Sequence, residues 1–355
     1  MSSLPLPSNI EQLKAYSSAK SEKITGTTWL NANESPYARD FSLSLTDLNR
    51  YPDPQPEAVI ERYANYAGVE KSEVLMTRGA DEGIELLVRT YCQPAKDSIA
   101  IFTPTYGMYK VTADTHNIAI NELTQDQLQQ LNAKEIAALV GESKLVFVCN
   151  PNNPTGATIA PAKIAELADA LQGKALVIVD EAYIEFSAAL TSSQLIKDFS
   201  NLVVLRTLSK AFALAGLRTG FTLAQAQTLA PIRKVIAPYP VSTVVARIAQ
   251  SALSSDAITQ MRRQVQILNG LKQTLCSWLS ASSRVLELKK GEGNFVLVAM
   301  QNTIDIAKAK QSGLIMRPFT LYGQDNWLRI SIGNESELKQ VKLWLDTLNT
   351  EGKIQ

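Results

Sequence analysis

Between about residue 75 and residue 225, short unbroken apolar runs alternate with longer stretches in which apolar residues recur every three or four positions. The runs at 74–77, 98–102, 145–149, 175–179 and 202–205 carry no polar alternation. Strands covered on both faces have this look, so they predict a mainly parallel, helix-covered sheet. Segments 81–91, 125–139 and 161–171 have helical spacing, which makes the region α/β and doubly wound. The pattern changes after Pro238-Tyr239-Pro240. One long helix is expected over 242–280, short strands near 294–298 and 327–332, and a closing helix over 335–348. The expected organisation is an N-terminal arm (1–28), a large domain (29–254) and a smaller α+β domain (255–355).

Composition narrows the function. A chain of 355 residues, 45% of them hydrophobic, can bury a full core. Its 35 Lys and Arg nearly cancel its 34 Asp and Glu, so no field gathers nucleic acid or an anionic membrane surface. Function is therefore sought in a pocket that takes a small molecule. Cys92, Cys149 and Cys276 are widely spaced and share the chain with one histidine, His116, which suits neither a zinc site nor a disulfide framework. The first residues lack the charged and apolar regions of a signal peptide, and no apolar run reaches membrane-spanning length. A reduced, cytoplasmic protein is expected.

Four segments place polar side chains just past predicted strands, where open α/β sheets bind ligands. In Thr207-Leu208-Ser209-Lys210, a lysine partly stripped of water becomes a usable amine nucleophile, and Thr207, Ser209 and Arg218 together can hold a phosphate. Taken alone, Lys210 is equally a solvated residue and Arg218 an ion-pair partner. In Asn150-Pro151-Asn152-Asn153-Pro154, two prolines fix a turn that leaves the Asn153 amide pointing above the sheet, although an ordinary Asn-Pro turn reads the same way. Asp180 ends a buried strand, where a carboxylate needs a cationic partner, and Tyr183 brings a phenol close by; a helix N-cap with a packing tyrosine is the alternative. Gly79, Ala80 and Asp81 open a helix whose first N–H groups face an anion, or form a simple turn. Together the four supply a Schiff-base lysine, a carboxylate for a ring nitrogen, an amide and a phenol for a ring oxygen, and a phosphate cradle. Pyridoxal 5′-phosphate requires that set.

The chain resembles the fold-type I pyridoxal-phosphate aminotransferases, and among them the histidinol-phosphate aminotransferases. The likeness runs through Leu30-Asn31-Ala32-Asn33-Glu34, Arg50-Tyr51-Pro52-Asp53, Arg78-Gly79-Ala80-Asp81-Glu82, Pro104-Thr105-Tyr106, the three motifs above, Gly313-Leu314-Ile315-Met316-Arg317 and Leu328-Arg329-Ile330. The resemblance implies that Lys210 holds the cofactor, Asp180 pairs with its pyridine nitrogen, and Tyr183 and Asn153 bind its ring hydroxyl. It implies that Tyr106 stacks on the ring while Gly79, the N–H groups of Ala80 and Asp81, Thr207, Ser209 and Arg218 surround the phosphate. Tyr51 is similar to a tyrosine that reaches the phosphate from a neighbouring subunit, which implies a homodimer with shared sites.

On the substrate side, the resemblance implies that Arg329 takes the α-carboxylate, that Arg317 helps to hold the substrate phosphate, that Tyr16 lies near the imidazole end, and that Asn33 also binds substrate. It further implies ping-pong transamination between L-histidinol phosphate and 2-oxoglutarate, giving L-glutamate. A bidentate guanidinium suits both anions. The segment after Arg317, Pro318-Phe319-Thr320-Leu321-Tyr322-Gly323, shows no clear pattern and is expected to be a loop. Aromatic aminotransferases and threonine-phosphate decarboxylases share the cofactor motifs. A pyridoxal-phosphate-binding regulator is disfavoured, because the short N-terminal stretch leaves no room for a DNA-binding module.

Overall fold

The structure, a computed structural model, describes residues 4–13 and 26–351. Tyr16 lies outside the described residues. Strands β1 (Thr28–Leu30), β2 (Val74–Thr77), β3 (Ser98–Thr103), β4 (Ala119–Thr124), β5 (Leu145–Cys149), β6 (Leu176–Asp180), β7 (Leu202–Thr207) and β8 (Gly220–Leu223) are followed by β9 (Val285–Lys289), β10 (Phe295–Met300), β11 (Leu314–Leu321) and β12 (Gln324–Ser331). They form two sheets, with orders β2-β8-β7-β6-β5-β3-β4 and β1-β11-β12-β10-β9.

In the larger sheet β3 through β7 pair in parallel, and β8 runs antiparallel to both its neighbours, β7 and β2. Successive residues of each central strand enter opposite cores. Val146 and Val148 join one apolar cluster, while Leu145, Phe147 and Cys149 join the other. Val177 and Val179 likewise face away from Ile178, and Val204 from Val203 and Leu205. Covering both faces explains why these strands read as continuous apolar runs. Each such side chain contributes roughly 1.5–3 kcal/mol on burial.

Several expected elements are divided or displaced. The helix expected over 125–139 is two, Gln125–Gln130 and Ala133–Val140. Asn132 starts the second with a reciprocal cap: its Oδ1 accepts from Lys134 and Glu135 N–H, and the Glu135 carboxylate accepts from Asn132 N–H at 2.8 Å. The long helix expected from 242 to 280 is likewise Thr243–Ala252 and Ser255–Ala281, divided where Ser254 caps the second through Ala257 N–H. The expected loop after Arg317 is the second half of β11, in a hairpin closed by Tyr322 and Gly323 with φ of 55° and 74°. Two left-handed residues in succession match the twist of a tight hairpin. Pro318 is tolerated because β1 pairs only with Leu314, Ile315 and Met316, leaving Pro318 on an open edge.

Trp29 and Leu30, expected with the large domain, lie in β1, which pairs in parallel with β11 in the smaller sheet. The chain between β1 and β2 thus passes from one sheet to the other, beside the carboxyl ends of β5, β6 and β7.

Candidate active site

Parallel strands deliver their carboxyl ends to one edge of the sheet. There β5 ends before Asn150, β6 at Asp180, β7 at Thr207, and β2 just before Gly79. Gly79 has φ 82° and ψ 171°, a region open to glycine alone, and the helix Ala80–Tyr91 begins with no side-chain cap. A Cβ on Gly220, the first residue of β8, would lie 2.4 Å from the Gly79 carbonyl carbon. Gly79 is therefore required by its backbone conformation, and Gly220 by the close approach of the Gly79 backbone.

Lys210 is half-buried, and its Nζ donates to the Ala32 carbonyl at 2.8 Å. Burial, reinforced by the nearby Arg329 charge, pushes its pKa down to about 8. Asp180 is buried; Oδ2 accepts from the Tyr109 hydroxyl at 2.7 Å and Oδ1 from Ala182 N–H at 3.1 Å. Burial raises its pKa to about 6 despite those two donors. Both of these donors are neutral, so the carboxylate is poised to receive a cation.

Tyr183 accepts from Asn33 Nδ2 at 3.0 Å, and burial raises its phenol well above the ordinary value. Asn153 Oδ1 accepts from Arg329 Nη1 at 2.6 Å, and Arg329 Nη2 donates to the Asn31 carbonyl at 2.7 Å. The Arg329 guanidinium also lies between the rings of Phe295 and Phe319, 5.7 and 5.6 Å from their centroids. Register sets Arg317 opposite Arg329 in the β11–β12 ladder. Thr207 Oγ1 donates to Ser209 Oγ at 2.9 Å and accepts from Ser209 N–H at 3.0 Å. Arg218, left-handed at φ 55°, pairs with Asp81 at 3.0 Å, and Asp81 also accepts from the Tyr106 hydroxyl at 2.9 Å.

Hydrogen bonds and charges thus tie Lys210, Asp180, Tyr183, Asn153, Asn33 and Arg329 into one cluster at the carboxyl ends of β5, β6 and β7, with Thr207, Ser209, Arg218, Asp81 and Tyr106 bonded to one another toward the ends of β2 and β7. Tyr51 stands apart on an exposed segment, stacked on Tyr239 with ring centroids 4.5 Å apart. Tyr109 was not anticipated. It lies three residues after Tyr106, at the start of the helix Met108–Thr115, and that spacing was the available signal for a second inward-facing phenol. Among the described residues, no cluster of three or more metal-ligating side chains occurs, and no helix is long and apolar enough to cross a membrane.

The family model for class I and II aminotransferases matches residues 16–342. The chain belongs to that family. This aminotransferase is 43% identical to a histidinol-phosphate aminotransferase of Pseudoalteromonas atlantica, covering 95% of this chain and 93% of that one. It is 44% identical to the corresponding enzyme of Yersinia enterocolitica over 94% of this chain and 90% of that one. Its fold matches the solved histidinol-phosphate aminotransferase of Sinorhizobium meliloti in complex with pyridoxal-5′-phosphate, with a TM-score of 0.84 at 21% identity over 97% and 98% of the two chains. A threonine-phosphate decarboxylase from Porphyromonas gingivalis also shares the fold, with a TM-score of 0.72 at 17% identity over 85% and 93% of the two chains. Fold alone therefore does not select the reaction.

Proposed function

We propose that this aminotransferase, with pyridoxal 5′-phosphate as cofactor, exchanges the amino group of L-histidinol phosphate with 2-oxoglutarate, giving imidazole acetol phosphate and L-glutamate. The observation that carries the substrate assignment is Arg329: a buried guanidinium fixed by Asn153, Asn31 and two aromatic rings, within the electrostatic reach of Lys210. A planar fork of donors grips phosphate or carboxylate alike, and this site must take one of each in turn. The relatives of 43–44% identity, whose names specify histidinol phosphate, support the same reading.

The donor set fits the cofactor. Asp180, buried without a cation among its hydrogen-bond partners, suits a protonated pyridine nitrogen. Asn153 and Tyr183 would bind the ring oxygen through an amide and a phenol, and Tyr106 would stack on the ring. The uncapped helix start after Gly79 provides the Ala80 and Asp81 N–H groups for the phosphate, with Thr207, Ser209 and Arg218 around it. Once bound, the cofactor supplies an electron sink for the bond-breaking at the substrate carbon.

The protein's part is proton management. With a pKa near 8, Lys210 is neutral in a usable fraction at neutral pH, so its Nζ can anchor the cofactor and, once released, remove the proton from the amine-bearing carbon. Arg329 and Arg317 hold the anionic end of the substrate, fixing the distance of that carbon from Nζ. Small-molecule substrates and a cytoplasmic setting accord with this reading. So does a homodimer, supported by the exposed Tyr51–Tyr239 stack.

The test mixes the purified protein with histidinol phosphate and 2-oxoglutarate and follows glutamate. Glutamate release, with Lys210→Ala inactive, is the expected result. Release of carbon dioxide from threonine phosphate, or phenylalanine serving while histidinol phosphate does not, would overturn the assignment.

A further inference from the structure

Three consecutive residues bridge the two sheets with every backbone carbonyl engaged. The Asn31 carbonyl accepts from Arg329, the Ala32 carbonyl from Lys210, and the Asn33 carbonyl from Asn294 Nδ2 at 2.9 Å. Asn33, fully buried and left-handed at φ 53°, also closes a ring of side-chain bonds. Its backbone N–H donates to Ser331 Oγ at 2.8 Å, Ser331 Oγ lies 3.0 Å from Asn33 Oδ1, and Asn33 Nδ2 lies 3.0 Å from the Tyr183 hydroxyl.

The direction of these bonds is fixed by counting hydrogens. Ser331 Oγ already accepts from the Asn33 N–H, so its single hydrogen serves Oδ1. Oδ1 is then the acceptor, and the opposite end of the amide, Nδ2, is the one that faces Tyr183. An amide N–H that donates to the Tyr183 oxygen turns the Tyr183 hydrogen away from Asn33. We infer that Asn33, held in orientation by Ser331, is a positioning residue that directs the Tyr183 hydroxyl proton outward, so that the phenol donates to the ring oxygen of the cofactor. Of the groups packed on the phenol ring, Phe295 meets it edge-on at 5.1 Å, and Lys210 Nζ lies over its face, 5.6 Å from the centroid. The charges nearby are Arg329 and Asp180, with the Cys149 thiol beyond.

The inference rests on the proposed cofactor, and its readout is the pH at which the visible absorbance of the loaded enzyme changes. A donated hydrogen bond favours an ionised ring oxygen, so losing it raises that midpoint. Tyr183→Phe is expected to raise it by about one unit, as loss of one bond to a charged group implies. Ser331→Ala, a small neutral change that frees the amide to turn, is expected to raise it by part of that, and by nothing further in the Tyr183→Phe background. Asn33→Asp, whose carboxylate would accept the Tyr183 hydrogen, is expected to shift it more when the phenol is present than when it is absent. Equal shifts from Ser331→Ala and Asn33→Asp with and without the phenol would overturn the inference. A missing lysine-dependent band would overturn the cofactor reading itself, a different failure. Melting temperatures recorded alongside separate a loss of folding from a change in proton direction.

Discussion

At the scale of single residues, the site is governed by charges held partly out of water. Lys210 is pushed down to about 8 because its ammonium loses hydration and faces the Arg329 guanidinium. The neutral, nucleophilic fraction therefore rises with pH through about 8 rather than near the ordinary lysine value. Mixing cofactor-free protein with pyridoxal phosphate at a series of pH values is expected to give a capture rate that climbs through that midpoint. Removing the guanidinium in Arg329→Leu takes away a repulsion against the protonated amine, so the midpoint moves upward. A midpoint unmoved, or moved down, in that variant would mean that burial alone sets the amine. Lys210, Asp180, Asn153 and Tyr183 were legible in the sequence because each follows a recognisable strand with a side chain of distinct chemistry. Tyr109 and the Asn31 and Ala32 carbonyls were not: a phenol within a helix reads as packing, and every residue has a carbonyl.

At the scale of elements, the phosphate-facing end depends on two chains approaching more closely than a Cβ allows. Gly220→Ala puts a methyl carbon 2.4 Å from the Gly79 carbonyl carbon and 2.5 Å from Ala80 nitrogen, both backbone atoms that cannot turn aside. The variant is expected to lose about 1–3 kcal/mol of stability in urea unfolding, as overpacking does, and also to bind cofactor more weakly because the helix start is displaced. Gly216→Ala, a few residues earlier with nothing within 4 Å, is the control expected to show neither effect. Equal behaviour of the two would remove the close approach as the reason for Gly220. The buried parallel strands were legible because apolar runs bounded by turns have few other uses. The β11 hairpin was hidden by Pro318, which is a strand breaker only where a ladder bond is needed. The two split helices were hidden because Asn132 and Ser254 read as polar intervals within a continuous period until their side chains are seen to cap.

At the scale of the whole molecule, the two sheets meet through backbone as well as side chains. Gly291 packs against Gly156, where a Cβ would lie 2.5 Å from Gly156 Cα, and Glu292 N–H donates to the Gly156 carbonyl at 2.7 Å. Lys272 holds the same turn through the carbonyls of Gly291 and Gly293 at 2.6 and 3.0 Å. Gly156 follows the Asn153 turn closely, so the smaller sheet is braced against the segment that meets Arg329. That bracing lies within one chain, whereas Tyr51 stands outside it, 81% exposed. An aromatic pair left in water is what a second subunit would cover. If Tyr51 serves a partner's phosphate site, Tyr51→Phe keeps the stack on Tyr239 but loses the hydroxyl, and cofactor affinity is expected to fall about tenfold, as one bond to a charged group implies. Subunit mixing then decides where the hydroxyl acts. A hybrid of Tyr51→Phe and Lys210→Ala subunits has one site with Lys210 from the first and Tyr51 from the second. If the hydroxyl crosses between subunits, mixing restores tight cofactor binding to that site. If it acts within its own chain, every Lys210-bearing site keeps the weakened affinity of Tyr51→Phe, and the shared-site homodimer is wrong.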